Sequence, residues 1–133
     1  MSTKKQDLKK LISWAENLGY DVIFSKDGGN NICLETNTIE ISSSNSLEER
    51  IFILSHECGH IIDANIILRK PNIKKDDTER EKKIRLWEEM NAWVEARKLM
   101  LKLDIVFDEK KLSKYTSICL EKYISAFIKQ QEL

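Results

Sequence analysis

Several things this chain lacks narrow it before any motif is read. It has no excess of charge: Lys plus Arg and Asp plus Glu both number 22 in 133 residues. A protein that tracks the phosphates of a nucleic acid is usually clearly basic, so direct nucleic-acid binding is not expected, although a local basic patch stays open. It has no long unbroken apolar run. The most apolar stretch, Ile51 to Leu68, is interrupted by His56, Glu57, His60 and Asp63, which suits a core helix and not a membrane span. No apolar segment follows the lysine-rich start, Met1 to Lys10, so a signal peptide is not expected. The cysteines are few and odd in number, Cys33, Cys58 and Cys119, without CxxC spacing. Such a set fits reduced thiols in a cytoplasmic protein. There is no repeat and no low-complexity tract. The length suits one domain, residues 1–133, with a modest core.

Histidine is scarce too, and here the scarcity is informative. Both histidines fall in His56-Glu57-Cys58-Gly59-His60, inside a proline-free apolar run. On a helix, positions i and i+4 share a face, so the two imidazoles can bind one Zn²⁺ while Glu57 lies close enough to act on a water there. The pattern is HExxH, the zincin signature. The competing reading, a buried helix with two core histidines, must find partners for both rings and for Glu57 as well.

In chain order, Thr3 to Leu18 reads as a helix. Thr3 with Gln6 forms a capping box, Leu8, Leu11, Ile12, Ala15 and Leu18 make an apolar stripe, and Gly19 stops it. Tyr20 to Ser25, Asn31 to Glu35 and Thr38 to Ser42 alternate like strands. Between them, Asp27-Gly28-Gly29-Asn30 and Thr36-Asn37 are turn chemistry, and a three-stranded antiparallel meander is predicted. Gly28-Gly29 lacks the context of a phosphate cradle and reads as a hairpin turn. Ser46 with Glu49 caps the HExxH helix, about Leu47 to Leu68. Gly59 inside that helix suggests close approach of another backbone. Arg69 to Asp77 holds the single proline, Pro71, and reads as an exposed connection whose length and charge permit a lid. Thr78 with Glu81 caps a long helix, about Glu79 to Leu103, with Trp87 and Trp93 expected in the core. Asp108 or Ser113 caps a last helix, which turns Leu112, Tyr115, Ile118, Cys119, Tyr123, Ala126 and Phe127 inward. The predicted class is α+β: an N-terminal helix, a small three-stranded antiparallel sheet, the HExxH helix, then two further helices.

Two histidines do not close a zinc site, which usually takes three protein ligands and a water. No third histidine exists. The extension HExxHxxGxxH is excluded because Asp63 and Ile66 stand at its added positions. Helical geometry puts Glu89 about 40° from Trp93 and about 20° from Ala96 and Met100, inside the apolar stripe. Glu88, about 140° from Trp93, falls with Glu81, Arg85 and Glu95 on a polar face. A carboxylate on a core-facing stripe is costly unless paired or metal-bound, so Glu89 is the expected third ligand and Glu88 the alternative. Asp63, one turn beyond His60, reads either as a group orienting a histidine or as an exposed carboxylate. Cys58 points about 160° from His56 and is expected to be a packed thiol.

This order of elements, with HExxH followed by Glu89, Asn91 and Trp93, resembles the ImmA/IrrE-type metallopeptidases, and in particular their small phage- and mobile-element-borne relatives. The resemblance covers about Thr38 to Met100. It implies a zincin-like metallopeptidase with Zn²⁺ as cofactor. Many members carry or accompany a helix-turn-helix DNA-binding module, and this chain is too short to hold both, so the resemblance implies a separate repressor as partner and substrate. In the resulting hypothesis His56, His60 and Glu89 hold Zn²⁺ and Glu57 is the general base. Tyr115, Tyr123 or Tyr20 stabilises the oxyanion. An edge strand near Thr38 to Ser42 aligns an extended peptide. Two other readings stay open: a zincin scaffold that sequesters a regulatory or host partner without cleaving it, and a zinc hydrolase of a non-peptide substrate.

Overall fold

The computed structural model describes residues 2–33, 35–64 and 78–131. Among these the chain is α+β, with four helices and a three-stranded sheet. Helix α1 (Lys4–Asn17) begins where Thr3 Oγ1 accepts from Gln6 N at 3.2 Å and Gln6 Oε1 accepts from Thr3 N at 2.8 Å. Leu8, Leu11 and Ala15 are its buried stripe. Gly19, in the left-handed region at φ 88°, turns the chain out of the helix.

The strands lie close to the expected places: β1 (Asp21–Ser25), β2 (Asn31–Cys33) and β3 (Thr38–Ser42). Their arrangement is not an antiparallel meander. The order is β1-β3-β2, with β3 in the centre, antiparallel to β2 but parallel to β1. Two physical reasons stand out. Ile39 and Ile41 of β3 are fully buried, which suits a strand paired on both sides. The turn at 26–30 also lacks the geometry of a tight hairpin: neither Gly28 nor Gly29 adopts the positive φ that primed turns require. Asp27 to Asn30 is instead a crossover, tied down where Ser42 N donates to Asn30 Oδ1 at 2.7 Å. It follows that Thr38 to Ser42 is not an edge and cannot align a peptide by strand addition.

Helix α2 (Leu47–Ala64) opens on the Ser46–Glu49 capping box. Its expected extension to Leu68, and the connection from Arg69 to Asp77, lie outside the described residues. The helix is central, and Ile51 through Leu54, Cys58 and Ile61 are all buried. Helix α3 (Glu79–Lys102) starts at Thr78, again with a capping box. Helix α4 (Glu109–Gln131) is capped by Asp108, whose Oδ1 accepts from Lys110 N and Lys111 N, so Ser113 is not the cap. Leu112 and Tyr123 are buried on α4 and Tyr115 and Cys119 are partly so, but Ile118 is 60% exposed, contrary to expectation. The side chain of Phe127 lies outside the described residues. Trp93 is buried as expected and Trp87, at 53% exposed, is not. No helix among the described residues is long and apolar enough to cross a membrane.

Helices α2 and α3 approach each other closely at Gly59. A Cβ placed on Gly59 would lie 2.0 Å from the carbonyl oxygen of Ala92. Only a residue without a side chain lets the two backbones meet there. Gly59 directly precedes His60 and Ala92 follows Glu89 by three residues, so this contact sets how far Glu89 stands from the histidines.

Candidate metal centre

His56 and His60 lie one turn apart on α2, with ring centroids separated by 4.5 Å. Both direct Nε2 toward α3. Glu89 Oε2 meets them from that helix, 2.6 Å from His60 Nε2 and 3.6 Å from His56 Nε2. One ligand atom from each residue can be chosen so that all lie within 4.8 Å of one another, a cluster that could hold a metal ion.

The state of these atoms tests whether a cation fits. His56 Nε2 and Glu89 Oε2 are shut off from solvent and have no hydrogen-bond partner among the described residues, and the 2.6 Å approach of His60 is not aligned as a hydrogen bond. Leaving a buried polar atom unpaired costs about 1–3 kcal/mol, more if it is charged. A cation among the three would satisfy both atoms at once. Two imidazoles and a carboxylate are also the ligand types that a catalytic zinc takes.

The electrostatics point the same way. Burial opposes charge on His56, but the carboxylates of Glu57 and Glu89 outweigh it and push its pKa up to about 9. Burial likewise opposes charge on Glu89, yet His56 and His60 hold its carboxyl well below the usual carboxylate range. Both shifts favour positive charge on His56 beside the two carboxylates.

Glu57 is buried beside the centre, with Oε1 3.4 Å from His56 Nδ1. Glu88, the alternative ligand, does not join the cluster. Nor does it face solvent: it is buried together with Arg85, whose Nη1 lies 3.4 Å from Glu88 Oε2. The offset of about 140° from Trp93 predicts a polar face there, but pairing lowers the cost of burying Arg85 and Glu88 together. Asp63 is buried, which removes the exposed-carboxylate reading. Cys58 is a packed thiol that burial pushes far up in pKa.

The centre opens into a cleft of about 330 Å³. One wall is Asn30, Asn31 and Ile32, where β2 is an edge strand of the sheet among the described residues. The other is α4, with Tyr115, Ile118, Cys119, Lys122 and Tyr123. Of the three tyrosines expected to stabilise an oxyanion, the fold brings Tyr115 and Tyr123 to the cleft, whereas Tyr20 packs against the core elsewhere. Burial pushes Tyr115 up to about 12, so its hydroxyl keeps its proton. Lys122, Cys119 and the Asn30-Asn31 pair are cleft residues that sequence reasoning did not place there. Tyr115, Cys119 and Lys122 do follow i, i+4, i+7 spacing, but that stripe reads as core. Asn30-Asn31 read as the end of a turn.

No known family, curated protein or solved structure matches this chain.

Proposed function

We propose that this protein is a zinc-dependent endopeptidase of the zincin kind, acting on one partner protein such as a helix-turn-helix repressor. The observation that carries the proposal is the convergence of His56 Nε2, His60 Nε2 and Glu89 Oε2, two of them orphaned, at the floor of an open cleft beside Glu57. Zinc held by these three residues would supply a Lewis acid that lowers the pKa of water and polarises a peptide carbonyl.

The chain's own residues do the rest. Glu57 takes a proton from the attacking water and returns it to the departing amine. The protonated hydroxyl of Tyr115, or that of Tyr123, donates a hydrogen bond to the carbonyl oxygen as negative charge builds on it. The outer edge of β2, at Asn31 and Ile32, which no described strand covers, offers backbone groups to an extended peptide, a role that β3 cannot fill. A protein that only sequestered its partner would have no use for Glu57 buried at the centre, where a carboxylate is costly.

The test is incubation of the zinc-loaded chain with a candidate repressor, read by product mass. The expected result is one discrete cut, slowed at least about a hundredfold in Glu57→Gln while that variant keeps its zinc. Loss of zinc in Glu57→Gln would make Glu57 a ligand. Equal perturbation of the partner by both proteins, without cleavage, would make the protein a binder.

A further inference from the structure

A ligating imidazole must present one nitrogen along a narrow direction, so something must hold the plane of its ring. Metal-binding histidines are most often fixed by a hydrogen bond from the second ring nitrogen to a carboxylate or carbonyl. Beside Nδ1 of His56 stands Glu57 Oε1, at 3.4 Å. At that length the contact is a weak anchor on its own.

The faces of the ring are held instead. The indole of Trp93 lies nearly parallel to His56, with 16° between planes and 4.3 Å between centroids. His60 meets the same ring at 67°. Trp93 is itself fixed: it is buried, Tyr115 stands edge-on to it at 6.0 Å, and Phe52 backs Tyr115 at 6.0 Å. The rings form one row, Phe52–Tyr115–Trp93–His56–His60, drawn from three helices. Trp93 follows Glu89 by four residues, so one stretch of α3 supplies both the acidic donor and the plane on which His56 rests.

We infer that Trp93 is a positioning residue for the metal centre. Its indole fixes the plane of His56 so that Nε2 faces Glu89 and His60. The inference rests on the reading of His56, His60 and Glu89 as metal ligands and not on peptide hydrolysis. It asks for a flat face, so phenylalanine can substitute for Trp93 and leucine cannot.

Zinc affinity and the visible absorption spectrum of the cobalt-loaded protein test this in wild type, Trp93→Phe, Trp93→Leu and Leu99→Ala. Leu99 is a buried residue ten positions beyond Glu89 on α3 and controls for loss of packing. Trp93→Leu is expected to weaken zinc binding by about ten- to a hundredfold and to alter the cobalt spectrum. Trp93→Phe is expected to stay within about threefold of wild type with its spectrum preserved. Leu99→Ala is expected to lower thermal stability with affinity and spectrum unchanged. Wild-type affinity and spectrum in Trp93→Leu would overturn the inference. So would equal losses in the leucine and phenylalanine variants, or an affinity loss in Leu99→Ala that matches Trp93→Leu. A wild-type chain that binds no metal sinks the centre and this inference together. A chain that binds metal and cleaves nothing leaves the inference standing and removes only the peptidase.

Discussion

At the level of single residues, the proposed centre sets a metal against a proton for the imidazole of His56. Folding raises its pKa from an ordinary 6.5 to about 9, against the cost of burial and through the carboxylates of Glu57 and Glu89. A raised pKa stabilises the metal-free fold fully below 6.5, and that contribution is lost as pH climbs through about 9. The melting temperature in chelator should therefore fall across this interval, and zinc-loaded protein, whose ring is already neutral, should not show that slope. If the proposed centre holds zinc, the ion has to displace that proton, so its affinity should rise about tenfold per pH unit over the same range and level off above it. Calorimetry at three pH values checks both; a chelated protein with a flat profile would remove the imidazolium from the account. Glu89 is legible in the sequence because a carboxylate on an apolar stripe needs a reason to be there. The burial of Glu88 is not legible, because it depends on Arg85 being buried beside it. Hydrophobicity alone also cannot separate Trp93, against His56, from Trp87, which faces solvent.

Among elements, the crossing of α2 and α3 decides whether a site exists. Replacing Gly59 by alanine sets two effects against each other. Alanine favours the helix by about 1 kcal/mol. Its Cβ would also meet a backbone oxygen at 2.0 Å, and backbone cannot swing aside as a side chain can. Overpacking of this kind costs about 1–3 kcal/mol or more, so the clash wins. Gly59→Ala should lower the denaturant midpoint of the metal-free chain and, by pushing Glu89 from the histidines, weaken zinc binding. A variant more stable than wild type would show that the helices do not meet there. The close approach is legible from the sequence because a glycine inside an apolar helix asks for one. Helix starts are legible for a local reason: Thr3, Ser46 and Thr78 each bond to a residue three positions on. The sheet is legible only in part. Alternation finds the strands, but pairing between distant segments sets their order, and the buried Ile39 and Ile41 draw β3 to the centre.

For the molecule as a whole, the helices and the sheet share one core, and the cleft lies where the outer edge of β2, the floor of α2 and α3, and the wall of α4 meet. This arrangement makes the substrate prediction specific. A partner offering an extended segment should be cut, and the same sequence locked in a helix should resist, since β2 is the edge strand beside the cleft among the described residues. Product masses from a matched pair of such substrates decide the matter, and equal cleavage of both would remove β2 from the mechanism. Everything rests on helices α2 and α3 jointly supplying one coordination sphere. The most direct measurement is zinc stoichiometry and affinity of the 133-residue chain alongside its Glu88→Gln and Glu89→Gln variants. The predicted result is one zinc per chain in wild type and in Glu88→Gln, with binding lost or weakened at least about a hundredfold in Glu89→Gln. A wild-type chain that takes up no zinc, or a Glu89→Gln variant that binds it as tightly as wild type, would contradict the account.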